Sequence, residues 1–154
     1  MTAQGDNSKQ ALFAALNGSV ADHLALYVKT KNFHWHMAGP RFRDLHLLFD
    51  EQAAQLIGVV DAIAERVRKQ GGETQTSIGS IGRTTRIADQ DDTSLSSDQM
   101  IAELRDANRK LHEGLLDVKA TSEEAGDHAT NGIVDDWIDQ AEERIWFLSQ
   151  TLKG

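Results

Sequence analysis

The stretch NFHWHMAGPRFRDLHLLFDEQ, residues 32–52, carries three of the chain's six histidines, His34, His36 and His46, and Asp50 follows His46 by four positions. Asp61 and Glu65 repeat that interval further along. On a helix, side chains four apart leave from one face and converge, so each pair can hold one side of a cation. No cysteine occurs anywhere. Disulfides, thiolate zinc sites, iron–sulfur clusters and cysteine nucleophiles are therefore excluded, and any metal must be held by nitrogen and oxygen.

The two pairs share a stripe but not a height. At about 100° per residue, with His46 at zero, Asp50 falls near 40°, Asp61 near 60° and Glu65 near 100°. Asp50 and Asp61 stand roughly 16 Å apart along the axis, whereas ligands must converge to about 2 Å of one ion. One straight helix cannot bring both pairs to one metal, but a two-fold axis can. With two copies of the helix antiparallel across the stripe, His46 and Asp50 of one chain face Asp61 and Glu65 of its mate, and two equivalent sites result. The midpoint falls between Gln55 and Leu56, where Ala53, Ala54 and Gly58 are small enough for close approach. His34, brought round by a Gly39-Pro40 turn, completes a set of two histidines and three carboxylates.

Elements that could position these groups are all helical: apolar residues recur at helical spacing in four long blocks, without convincing strand alternation. The first begins near Ser8, a plausible N-cap, and carries Leu12, Leu16, Val20, Leu24, Tyr27 and Val28 on one side, passing through Asn17-Gly18 without a phase break. Residues 1–7 are expected to form a short flexible tail. Gly39-Pro40 separates block one from block two, which runs from about Arg41 to Gln70 and stops at Gly71-Gly72. Ser96 and Gln99 make a capping box for block three, with Met100, Leu104, Leu111, Leu115 and Val118 buried until Gly126. Block four starts near Asp127 and carries Ile133, Trp137, Ile138, Ala141, Ile145, Trp146, Leu148 and Leu152, with both tryptophans expected in the core. The connection from 71 to 95 is too long for neighbouring antiparallel helices and long enough for a crossover. Two hairpins joined by one long crossover is the connectivity of a ferritin-like four-helix bundle, in one domain over residues 1–154.

Composition narrows the function classes. A net charge of −8 opposes phosphate backbones, because non-specific nucleic-acid affinity needs Lys and Arg to displace counterions. The first ten residues hold no apolar h-region and no later segment approaches a transmembrane run, so the cytoplasm is the expected location, without membrane association.

The quoted stretch, followed by Asp61-x-x-x-Glu65 and GDHATNGIVDDWIDQAEERIWFL, resembles the Dps family, the miniature ferritins also called DNA-binding proteins from starved cells. The likeness covers nearly the whole chain. It implies metal ligands His34, His46 and Asp50 from one subunit, with Asp61 and Glu65 from another, at a dimer interface. His36 lies outside that pattern, with a place beside the ligands as its expected role. The resemblance further implies a homo-dodecameric shell that oxidises Fe(II), preferably with hydrogen peroxide rather than oxygen, and stores ferric mineral as protection against oxidative stress. It also implies a short extra helix in the 71–95 connection. Imidazole and carboxylate ligands with open positions suit non-haem iron, and no organic cofactor is expected. Trp35, beside a ligand, is the candidate to supply or quench an electron during oxidation.

Larger ferritins use Glu-x-x-His motifs within each bundle, and none occurs here. The alternative is a DNA-condensing, nucleoid-associated protein with a secondary iron role. It is disfavoured because Lys9 is the only basic residue of the first ten and Lys153 stands alone at the other end. By the same resemblance, a pore admitting iron lies near the start of the last helix, which points to Asp127, Glu124 and Asp135. Ordinary helix-start acids favoured by the macrodipole are the competing explanation.

Overall fold

A computed structural model describes residues 3–153, with side chains described from residue 5 onward. Five helices follow in order, α1 Ala3–His36, α2 Phe42–Lys69, α3 Ile78–Thr84, α4 Ser97–Glu124 and α5 His128–Leu152, with no strand among the described residues. Short turns make hairpins of α1 with α2 and of α4 with α5, and α1 packs on α4 to close the bundle. The ferritin-like four-helix bundle with an extra short helix in the crossover is thus the observed fold.

Local chemistry explains the boundaries. Gly39, Gly71 and Gly126 all take positive φ, the left-handed conformation that glycine adopts without steric cost, and each lies just beyond a helix end. Ser96 accepts from the Gln99 amide at 3.1 Å while the Gln99 side chain accepts from the Ser96 amide at 2.8 Å, the expected capping box. Ser77 and Ser80 form the same reciprocal cap on α3. The beginning of α1 differs from expectation. It starts at Ala3 and not at Ser8, so residues 3–7 are helical rather than tail, while Met1 and Thr2 lie outside the described residues. Propagating an established helix costs far less than nucleating one, so a helix packed from Leu12 onward extends past its buried stripe.

The crossover is strapped to α1. Asp22, 1% exposed, accepts from the Thr85 hydroxyl and the Arg86 amide, both at 2.8 Å. Further along α1, Lys29 donates to the Ala88 carbonyl and Asn32 to that of Gln90. The expectation that no segment approaches a transmembrane run meets one exception in α1, which buries Asp22, His23 and Lys29 inside the bundle. By length and composition alone, Gly5–His36 could cross a membrane, but it is the central helix of a bundle.

Apolar stripes divide as expected on α4, where all five named residues are buried. On α5 they do not. Trp137 is in the core at 2% exposure, but Trp146 is 60% exposed, and Ile133 is exposed too. Nine residues separate the two tryptophans, which places them about 180° apart on the helix. Arg144 occupies an inward position instead, donating to the Asn108 and Gln55 side chains at 2.7 Å each. Burial lowers its guanidinium to about 10, against the opposing pull of Glu143. Val28 on α1 also faces outward, and Ala53, expected between two copies, is a core residue.

Candidate metal centre

His34 at the end of α1 and His46 in the second turn of α2 are brought together by the turn at Gly39. Their rings stack with centroids 3.8 Å apart and planes 12° from parallel. Nδ1 of His34 lies 2.6 Å from the His46 carbonyl, and Nδ1 of His46 lies 2.8 Å from the His34 carbonyl. A carbonyl oxygen only accepts, so both Nδ1 atoms carry the proton and donate. In the neutral rings both Nε2 atoms then keep a lone pair for a metal. Phe42 stacks on the other face of His46 at 4.9 Å, fixing its plane.

Asp50 completes this half of the site, with Oδ1 3.8 Å from His34 Nε2. The same oxygen accepts from Lys31 Nζ at 2.7 Å. That hydrogen bond holds the Asp50 carboxyl below its ordinary value and raises the Lys31 ammonium. Lys31 and Phe42 escaped the sequence reading. Lys31 was within its reach, since it precedes His34 by three residues and so shares its face.

Asp61 and Glu65 are exposed on the same uninterrupted α2, which preserves the axial separation inferred from sequence. Neither forms a hydrogen bond or ion pair among the described residues, and no three potential ligands cluster tightly enough within one chain to hold a metal among those residues. Exposed Leu47, Ala54, Ile57 and Gly58 lie between or beside the two pairs. Next to this face a groove of about 660 Å³ runs between α1 and the crossover, lined by Val28, Trp35, Ile57 and Ile78 among others.

His36 is not brought to the cluster. Its Nδ1 donates to the Asn32 carbonyl at 2.8 Å and lies 2.7 Å from the Asn32 side-chain oxygen, and its ring lines the groove. Trp35 is 63% exposed beside it.

The three acids assigned to a pore separate. Asp127 is 6% exposed and is the N-cap of α5, accepting from the Thr130 amide at 3.1 Å and from the Thr130 hydroxyl. Arg66 Nη2 donates to it at 2.7 Å. Burial alone would raise its carboxyl, but the Thr130 bonds and then Arg66 outweigh this and hold it below the ordinary value. Within one chain Asp127 is thus a helix cap tied to Arg66, a use that competes with lining a pore. Glu124 is exposed, while Asp135 is exposed but paired with Lys119 at 3.0 Å.

The chain and its fold have known relatives. The ferritin-like domain family matches residues 13–154. A low temperature-induced protein of Nostoc sp. is 33% identical over 97% of this chain and 84% of its own length. The DNA protection during starvation protein of Agrobacterium fabrum is 30% identical over 92% and 88% respectively. Among solved structures, Dps from Thermosynechococcus elongatus superposes with a TM-score of 0.93 at 25% identity, covering 97% of this chain and 95% of that one. A Dps protein from Vibrio cholerae, described as a member of a broad superfamily of ferritin-like diiron-carboxylate proteins, reaches 0.89 at 27% identity over 96% and 92%. With an imidazole pair, an aspartate and two uncommitted carboxylates on one helical face, the chain belongs to the Dps family of ferritin-like proteins.

Proposed function

We propose that this protein is a ferroxidase whose sites are shared between two subunits of a homo-dodecameric cytoplasmic shell. It oxidises Fe(II), preferring hydrogen peroxide to oxygen, and stores the ferric product. Family membership supports the coarser statement, a role in iron storage and protection. The observation that carries the finer one is the division of α2. One end, together with His34 of α1, offers two oriented Nε2 lone pairs beside Asp50, and the other offers Asp61 and Glu65 with no partner among the described residues of their own chain.

His34, His46 and Asp50 of one subunit, with Asp61 and Glu65 of the partner subunit, would hold the ferrous substrate. Two ferrous ions each give one electron to a peroxide. Its O–O bond breaks and, with two protons, leaves two waters, so no hydroxyl radical escapes. Where a single ferrous ion reacts, Trp35, next to His34 in the chain, would supply the second electron that the peroxide takes. Exposed apolar surface on Leu47, Ile57 and the adjoining groove supports coverage by a second copy. For iron admission, Glu124 and Asp135 remain candidates.

The alternative of a DNA-condensing protein gains nothing here. Arg66 is consumed by Asp127 and Arg68 donates to the Gly72 carbonyl, which weakens the basic cluster of Arg66, Arg68 and Lys69. The shell should leave duplex DNA unshifted in gel retardation at physiological salt.

A mixing experiment tests the shared site. One variant lacks His46 and Asp50, another lacks Asp61 and Glu65, and each homodimer has only broken sites. After unfolding, equal mixing and reassembly, a mixed dimer has one whole site. With random pairing, about a quarter of all sites, and of the initial stopped-flow oxidation rate, should return. No return in particles shown by mass spectrometry to contain mixed dimers would sink the model.

A further inference from the structure

We propose that the seam between α2 and α5 holds a binding site for a protonated, singly charged oxoanion, of the class of dihydrogen phosphate or hydrogen carbonate, with Arg144 as its anchor. A pocket of about 190 Å³ opens there, lined among others by Gln52 and Gln55 of α2 and by Arg144 and Phe147 of α5, with Glu51 and Glu143 beside them. The site is separate from the metal centre. With His46 at zero, Glu51, Gln55 and Gln52 fall at about 140°, about 180° and about 240° around α2, outside the stripe from zero to about 100° that carries the metal ligands. It therefore stands or falls independently of the shared-site reading.

Arg144 is 2% exposed and remains a cation at neutral pH, yet both of its hydrogen-bond partners, Asn108 and Gln55, are uncharged amides. Arg66, by contrast, has a carboxylate, Asp127, at 2.7 Å. A buried charge without an opposite one is costly, so a guanidinium in this state gains more from an anion than an exposed one does. Two buried polar atoms of the lining residues have no partner among the described residues: Arg144 Nη2, which only donates, and Gln52 Oε1, which only accepts. The Gln52 amide is oriented by its Nε2, which lies 3.5 Å from the Arg144 carbonyl and must be the donor there. Gln55 is the entry. Its Oε1 accepts from Arg144 Nη1 at 2.7 Å, and its side chain is half-buried. When the Gln55 amide swings out, Nη1 and Nη2 together present the parallel pair of N–H donors that fits two oxygens of one anion. A hydroxyl on the same anion then donates to Gln52 Oε1. Exposed Glu51 and Glu143 oppose a second negative charge. Arg144 thus selects for charge, Gln52 for a proton, and the two glutamates against a dianion.

The test is equilibrium dialysis and calorimetry of the full chain in chelator, at neutral pH and constant ionic strength, with inorganic phosphate as the probe. Wild type should take up one phosphate per chain. Hydrogen carbonate should compete for the same site, and the tighter of the two is the occupant the site is built for. Sulfate and nitrate, which offer no hydroxyl donor at that pH, should compete at least about tenfold more weakly. Arg144→Met removes the charge and keeps an apolar stem, and saturable uptake should disappear. Gln52→Leu should weaken phosphate about tenfold, to the level of sulfate. Gln55→Ala removes the amide that competes for Nη1 and should bind phosphate more tightly than wild type, a gain that a general loss of structure cannot produce. Unchanged uptake by Arg144→Met would overturn the site, and so would sulfate matching phosphate in wild type. If Arg144→Met fails to fold, the other two variants still decide: a Gln52→Leu affinity equal to wild type, or a Gln55→Ala affinity no higher, would sink the proposal.

Discussion

Asp127 and Asp61 are both acids that the sequence tied to iron, and both belong to the neighbourhood of the second half of α2. Their circumstances are opposite. Asp127 is buried, caps α5 and is paired with Arg66 of α2, so both of its carboxylate oxygens have in-chain uses. Asp61, five residues before Arg66 on α2, is exposed and unpaired among the described residues. A carboxylate completed by its own chain contributes to stability, whereas one left open is available to something outside the chain. His34 and His46 are intermediate, since Nδ1 is committed to the fold and Nε2 is not.

The contrast would break most plainly at the open end. Asp61→Ala in particles that still assemble should lower the initial rate of peroxide-driven Fe(II) oxidation at least about 100-fold, more than the loss usual for groups that only support ligands. Stopped-flow absorbance of the ferric product measures it, and an unchanged initial rate would place Asp61 among ordinary solvated acids.

At the committed extreme stands His23, 1% exposed, donating from Nδ1 to the Ser19 carbonyl at 2.7 Å. Burial lowers it from 6.5 to about 3, the hydrogen bond opposing the shift and Arg144 adding to it. The folded protein keeps the ring neutral while the unfolded chain protonates below 6.5, so the stability contribution is full above that pH and falls as the solution is acidified. The loss amounts to roughly 3 kcal/mol between pH 6.5 and about pH 4. Chemical unfolding of metal-free His23→Leu should show an acid limb shallower than wild type by up to one proton, and parallel limbs would remove His23 from the account.

Asp127→Ala should cost about 2 kcal/mol, from a lost cap and an unpaired, largely buried Arg66. Its initial oxidation rate should stay within about twofold of wild type. Loss of iron uptake with stability intact would return Asp127 to a pore.

How far the sequence reached follows the same division. Patterns within one helix were readable: the capping box at Ser96 and Gln99, the stops at Gly71 and Gly126, and the four-residue pairs on α2. Features that depend on distant partners were not. Asp127 is decided by Arg66, 61 positions earlier, and buried Arg144 by Asn108 and Gln55. Helix α3 rests on a reciprocal Ser77–Ser80 cap within a glycine-containing segment, too weak a local signal to separate from a loop. Trp146 is exposed because it stands about 180° from buried Trp137 on α5, an angle that its apolar character alone does not reveal.

The smallest expected effect is the most discriminating. In the absence of metal, Asp61→Ala and Glu65→Ala should change chain stability by no more than about 0.5 kcal/mol, because neither carboxylate has a hydrogen bond or ion pair to lose among the described residues. If the two groups face Asp50 of another subunit, their removal relieves repulsion, and any change should be a slight gain. Metal separates this from an inert surface. Wild type at a free Zn(II) concentration 100 times its dissociation constant should be stabilised by about 2.7 kcal/mol, since the cation binds only the folded, paired state. Both variants should lose most of that increment while matching wild type in chelator. Calorimetric unfolding with and without Zn(II) measures the two quantities in one experiment. A metal-free loss comparable to that of Asp127→Ala would mean that Asp61 and Glu65 are structural after all, and equal metal stabilisation in all three proteins would mean that the cation binds elsewhere.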